Sequence, residues 1–135
     1  MLKNKIKKIF RLNKKGVSAS VESAGMFLVI ALMMGLVLQV TIWSLAQITV
    51  KSAAYEAARG GAKVGKVYAK TRAETIAKEY GKGILGFWEP SIEANSDSDS
   101  GEITVIVIQK IPVISKIFPQ ATVQGISKET IEEIA

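Results

Sequence analysis

The chain has 135 residues, of which 48% are hydrophobic, and it carries a formal net charge of +6 with neither Cys nor His. The length limits it to one ordinary domain, and the composition excludes disulfide frameworks, thiol nucleophiles, the usual zinc sites and the commonest general base. Seven of the 18 basic residues precede the first acid, Glu22, so the remainder is nearly neutral and nucleic-acid binding is not expected.

A basic leader and a long apolar helix open the chain. The seven lysines and arginines lie in residues 1–16, and the run from Ala24 to Val50 has no charge. As a helix this run extends about 40 Å, more than the about 30 Å of a bilayer hydrocarbon core. A domain this small cannot surround such a helix as a core. We therefore predict a transmembrane helix over residues 17–50, with the N-terminus cytoplasmic and the C-terminus outside by the positive-inside rule.

Small residues recur at every fourth position after the apolar run. Such a step follows one ridge of a helix, and a ridge of hydrogens and methyl groups lets a second backbone approach closely. Glycine in a helix costs roughly 1 kcal/mol relative to alanine, which favours packing over mere helix propensity, although Gly60–Gly61 also permits a bend. The predicted helix-packing positions, with one pair inside the apolar run, are Ala31, Gly35, Ala53, Ala57, Gly61, Gly65, Ala69, Ala73 and Ala77.

Two β-strands are predicted in a small β-rich region, residues 84–135. The helix extension over residues 51–83 should stop near Tyr80, where several glycines follow. EITVIVIQ is almost wholly β-branched and QATVQGI alternates polar and apolar residues, so both are typical of strands. The preceding SDSDSG has oxygen ligands but not the spacing of an EF-hand loop, and a solvated turn is expected there.

Two further segments of this region leave alternatives open. The apolar stretch KIPVISKIFPQ, between the strands, is expected either on the membrane surface or over the sheet. SKETIEEIA is expected as a short terminal helix, with Thr130 and Glu133 at capping-box spacing, or as a frayed end. Together the elements predict an α+β fold, in which a long N-terminal transmembrane helix precedes a small antiparallel β-sheet.

The order of the N-terminal features resembles the prepilin signal of type IV pilin-like proteins. A basic leader is followed by Gly16, a short segment of small residues, Glu22 and an unbroken apolar helix. The resemblance implies cleavage by a prepilin peptidase on the cytoplasmic side, with Gly16 as the last leader residue and Val17 as the new N-terminus. It also implies that the helix is stored in the bilayer and later withdrawn into a filament core.

The same resemblance implies an assembly role for Glu22, which would neutralise the free α-amine of a neighbouring subunit. An ammonium and a carboxylate within about 4 Å attract strongly where water is excluded, and neither is tolerated there alone. The family's acid is the fifth mature residue, whereas Glu22 is the sixth counted from Val17, and one residue turns a side chain by about 100°. The alternative is an interfacial Glu near the N-terminal end of a helix, where the helix dipole favours it.

A second resemblance follows the apolar run, in VKSAAYEAARGGAKVGKVYAKT. It looks like the alanine-arginine-glycine stretch of TadE-like and TadG-like proteins, the pseudopilins or minor pilins of tight-adherence (Tad) pili. The matching residues are Ala57, Ala58, Arg59, Gly61 and Ala62. With the leader and the helix, the resemblance covers roughly the first half of the chain. It implies a pilin-like fold and a structural subunit that takes part in assembly of a Tad-type pilus.

The partners implied by this resemblance are the membrane, a prepilin peptidase, other pilins or pseudopilins in a homo- or hetero-oligomeric filament, and a platform protein driven by a cytoplasmic ATPase. The mature subunit would be extracellular once inside a pilus. No cofactor or metal is implied, and the residues form no catalytic pattern, so an enzyme is not expected. Two alternatives remain: an uncleaved single-pass membrane protein that scaffolds an envelope assembly, and the major subunit of a pilus-like filament. Main Tad pilins are usually much shorter chains, which favours a minor subunit.

Overall fold

Two helices precede a three-stranded antiparallel sheet. A computed structural model describes residues 1–113 and 116–132, except for the side chains of residues 10 and 12. The elements in chain order are α1 (Leu2–Ala62), α2 (Ala69–Tyr80), β1 (Ser91–Asp97), β2 (Glu102–Ile111) and β3 (Ala121–Thr130). This architecture confirms the predicted α+β fold, with one long apolar N-terminal helix followed by a small antiparallel sheet.

The helix α1 contains no proline, and the Gly60–Gly61 pair lies within its last turn. The chain leaves the helix at residues 63–68. Gly65 there has a φ of +82°, in the left-handed region that glycine enters without a steric penalty. The segment 51–83 is therefore divided between the end of α1 and α2, and α2 ends at Tyr80, as its sequence predicts.

The chain forms two compact units, residues 1–38 and residues 39–135. The first unit consists of the N-terminal part of α1. The second contains the rest of α1, α2 and the sheet. The packed core belongs entirely to the second unit.

The sheet has the order β1-β2-β3, with both neighbouring pairs antiparallel. EITVIVIQ lies within β2, and QATVQGI lies within β3 apart from its first residue, which confirms both predicted strands. β1 was not predicted, and only its last two residues, Ser96 and Asp97, fall within the expected turn SDSDSG. The prediction of a terminal helix is wrong for residues 127–130, because they continue β3 and Thr130 pairs with Glu102. Glu133 lies outside the described residues.

The core lies between one face of the sheet and the helices. Alternate residues of β2 are buried on this face, and Val50 of α1 and Ala73 of α2 are buried against them. Gln109, a polar side chain on this strand face, is satisfied: its Nε2 donates to the carbonyl oxygens of Phe87 and Lys110, and its Oε1 accepts from the backbone N–H of Glu89. Because buried polar groups are costly when unpaired, these bonds fix the connection between α2 and β1 on the sheet.

The backbone of α1 approaches the sheet closely at Gly125 of β3. A Cβ atom built there would lie 2.6 Å from the carbonyl carbon of Val50 and 2.8 Å from the backbone nitrogen of Lys51. Both are backbone atoms of α1, so no side-chain rotation relieves the clash. Glycine is therefore required at this position for α1 to pack directly on β3.

Candidate assembly surface

The N-terminal half of α1 presents an uncovered apolar surface. Residues 17–38 are exposed, apart from half-buried Gly35, and no residue in the most apolar window of this helix is buried. By length and composition, α1 is able to cross a membrane. Moving a side chain such as Leu28 or Leu32 out of water gains about 1.5–3 kcal/mol. A surface made almost wholly of such side chains requires lipid or other helices around it.

Glu22 lies on this surface among apolar neighbours. It shares a helix face with Met26 and Val29, one and two turns further on, and these residues line a shallow groove together with Gly25. Within the part of the chain that the structure describes, Glu22 has no hydrogen-bond or ion-pair partner. Its carboxylate is thus accessible to a cation from outside this chain.

The bond between Gly16 and Val17 lies within α1. A Cβ atom added at Gly16 would meet nothing within 4 Å, and the side chain of Val17 is exposed. The two cleavage candidates are therefore on open helix surface, six and five residues before Glu22. Gly16, Val17 and Glu22 all lie on the helix α1.

The small residues fall into two environments. Ala31 is exposed, and a Cβ atom at Gly35 would meet nothing within 4 Å, so this pair has an open face in the monomer. The later positions lie in the core of the second unit, where a Cβ atom at Gly61 would come within 3.1 Å of the Ala73 methyl group. Gly65 belongs instead to the turn between the helices. The fully buried alanines of the predicted set are Ala53, Ala57, Ala69, Ala73 and Ala77.

The acidic turn between β1 and β2 is held by its own hydrogen bonds. Oδ2 of Asp97 accepts from Oγ of Ser100 at 2.8 Å, and its Oδ1 accepts from the backbone N–H of Asp99 at 3.0 Å. These bonds, the Ser100 hydroxyl first, lower the pKa of the Asp97 carboxyl group from its ordinary value of 3.8. In the described ranges no three His, Cys, Asp or Glu side chains are grouped as a metal site would require.

Comparison with protein families finds a match to the apolar helix α1. Residues 18–59 match the family model described as TadE-like protein. This segment is TadE-like. The match confirms the resemblance drawn from the sequence and covers about a third of the chain, all of it within α1. No curated protein and no solved structure matches the chain.

The TadE-like segment includes Glu22 and the small residues from Ala31 to Ala57, whereas Gly16 and Val17 lie just before it. The match indicates a pilin-like protein associated with the Tad pilus. Sequence reasoning missed one feature of the second unit, the close approach at Gly125. The single Gly inside the predicted strand QATVQGI was the available signal, because glycine in a strand often marks the approach of another backbone.

Proposed function

We propose that this chain is a structural subunit of a Tad-type pilus, a TadE-like pseudopilin or minor pilin that takes part in pilus assembly. One observation carries the proposal. The TadE-like segment, residues 18–59, begins on a helix surface that is apolar, uncovered and interrupted by a single carboxylate, Glu22. Such a surface suits a helix that is first surrounded by lipid and later by the helices of other subunits.

The first step in this proposal is processing by a prepilin peptidase between Gly16 and Val17. Cleavage requires the helix to open locally at the bond. Glycine costs roughly 1 kcal/mol relative to alanine in a helix, so opening is easier at Gly16 than at its neighbours. Removal of residues 1–16 takes away seven positive charges and creates a single α-amine at Val17. The charge that fixed the N-terminus on the cytoplasmic side is then gone.

The second step is pairing between Glu22 and the α-amine of a neighbouring subunit. Each charge alone is costly in an apolar environment, and an ammonium close to a carboxylate recovers much of that cost. The ion pair therefore favours arrangements of subunits in which the carboxylate and the α-amine meet, and disfavours arrangements in which either charge is left unpaired. A platform protein with its ATPase would supply the work of extraction, and the subunit itself needs no cofactor.

One observation favours a second candidate, an uncleaved membrane protein that scaffolds an envelope assembly. Glu22 is the sixth residue from Val17, and the family has its acid at the fifth. An uncleaved chain has no α-amine at residue 17, so Glu22 would have no role in pairing. The two candidates predict opposite results when the charge of Glu22 is removed.

The test compares Glu22→Gln with Ser23→Ala in cells that assemble the pilus. Glu22→Gln keeps the size of the side chain and removes its charge, and Ser23→Ala changes the adjacent exposed residue. We expect both variants to be cleaved in the membrane, and only Glu22→Gln to be lost from sheared pili or to reduce their number. Equal recovery of wild-type chain and both variants in pili, with equal pilus number, would remove the pairing role.

A further inference from the structure

We propose that residues 112–113 and 116–120, which lie between β2 and β3 and are called the connection here, form a membrane contact that places apolar and basic side chains among anionic lipid headgroups. The residues concerned are Ile117, Lys116 and Lys110, together with Trp43 of α1. This inference requires that α1 spans the bilayer, but it does not depend on cleavage or pilus assembly.

The connection is held against α1 near Trp43. Nε2 of Gln39 donates to the carbonyl oxygen of Pro112 at 3.3 Å, and Nε2 of Gln120 donates to the carbonyl oxygen of Ile111 at 3.1 Å. Phe118 and Pro119 line a cleft of about 210 Å³ whose other wall includes Trp43. These contacts place the connection beside the helical turn of residues 39–43.

Two limits place that turn at the end of the membrane span. Counted from Ala24, where the uncharged run begins, a hydrocarbon core of about 30 Å takes about 20 helical residues and ends near Trp43. Further along the run, Ala46, Thr49 and Val50 are buried in the second unit and cannot face lipid. Tryptophan is enriched at membrane interfaces. The turn of residues 39–43 therefore belongs at the bilayer surface, and the connection beside it lies at the same depth.

The side chains at this end of the sheet suit that surface. Ile117 is 76% exposed and Trp43 is 52% exposed, which is unfavourable in water for side chains of this size. Residues 103–128 contain no acid, and Lys110 and Lys116 are both exposed. Each lysine near an anionic lipid surface strengthens the contact about fivefold.

The opposite end of the sheet has the reverse character. The β1–β2 turn carries Asp97, Asp99 and Glu102, all exposed. Because β2 joins the two ends, the acids lie at one end of this strand and the lysine-flanked connection at the other. Exposed Glu89 near Gln109 and exposed Lys128 opposite Thr104 reduce this charge difference without reversing its sign, so the lysine-bearing end is still the one favoured against a negative surface.

Nitroxide labels on single cysteines test the inference directly, since the natural chain has no Cys. The full chain is labelled at Ile117→Cys, at Ser98→Cys in the acidic turn, or at Leu36→Cys in the apolar run, and is reconstituted in phosphatidylcholine/phosphatidylglycerol bilayers. Electron paramagnetic resonance then compares the accessibility of each label to oxygen, which dissolves in lipid, and to a water-soluble nickel chelate. We expect label 36 to be immersed, label 117 to be shielded from nickel relative to label 98, and Lys110→Glu/Lys116→Glu to restore nickel access at 117.

Each other outcome contradicts a defined part of the inference. If label 117 is as open to nickel as label 98 while label 36 is immersed, the connection does not touch lipid. If label 36 is also open to nickel, α1 does not span the bilayer and the inference fails at its premise. If the lysine variants or phosphatidylcholine alone leave label 117 unchanged, the anionic part of the proposal is wrong. Since none of these measurements uses a peptidase or a pilus, their failure is distinct from failure of the proposed assembly role.

Discussion

Gly125 has only a hydrogen atom as its side chain, so the backbone of α1 can pack directly on β3 at this residue. In Gly125→Ala the new methyl group would clash with the backbone at Val50 and Lys51, so α1 must move away from the sheet. We expect the free energy of unfolding of the second unit to fall by about 1–3 kcal/mol. Denaturant titration in detergent, followed by the fluorescence of buried Trp88, measures the change.

The matched control is Gly86→Ala, because a Cβ atom at Gly86 would meet nothing within 4 Å. It should change the free energy of unfolding by less than about 0.5 kcal/mol. Equal destabilisation by the two substitutions would mean that the cost comes from glycine removal in general and not from the approach of α1.

Asp97 offers a test of the β1–β2 turn by pH. Its carboxylate is favoured by the Ser100 hydroxyl group, so the stabilisation of the turn is present above the ordinary pKa of 3.8 and is lost as the pH falls through the lowered pKa. Ser100→Ala should raise the pKa of Asp97 towards 3.8. Carbon-detected NMR titration of the carboxyl group measures the pKa of Asp97. The control is Ser98→Ala, which should leave this pKa unchanged, because the hydroxyl group bonded to Asp97 is that of Ser100.

The elements could be predicted from sequence where the local pattern and the tertiary structure agree. β2 is rich in Val and Ile, which suits its central place in the sheet, and α2 stops where glycines begin. β1 and the end of β3 could not be predicted, because SIEANSD and SKET have little strand propensity and form strands through their pairing with β2. The four-residue spacing of small residues continues through residues 63–68 in the sequence. It gave no sign that the helix ends there, where Gly65 takes a left-handed conformation.

The apolar part of α1 should tolerate charge poorly if it lies in lipid. A lysine near the centre of a membrane helix costs about 3 kcal/mol on insertion scales. Leu28→Lys/Leu32→Lys should therefore reduce the fraction of chain that resists alkaline extraction from membranes. The control, Val67→Lys/Tyr68→Lys, places the same charges on exposed residues between α1 and α2 and should have little effect. Equal extraction of both variants would contradict a membrane position for residues 24–38.

The first unit of the molecule is a helical segment whose apolar surface is uncovered in the single chain, whereas the second unit has a packed core. The sequence alone was enough to predict the first, because charge distribution and an unbroken apolar run are local properties. The role of Glu22 is different. Its proposed partner is an α-amine of another chain, which exists only after cleavage, so neither the sequence nor the fold of one chain contains the pair. The family resemblance alone supplies that part of the account, and the pairing role of Glu22 stays a proposal.

Intact mass spectrometry of the membrane-extracted chain, with and without a co-expressed prepilin peptidase, shows whether the leader is removed. We expect the peptidase to remove residues 1–16 and leave Val17 as the N-terminus, and we expect the chain to keep its leader when the peptidase is absent or inactive. A chain that still begins at Met1 beside a peptidase that processes a control prepilin in the same cells would contradict this expectation.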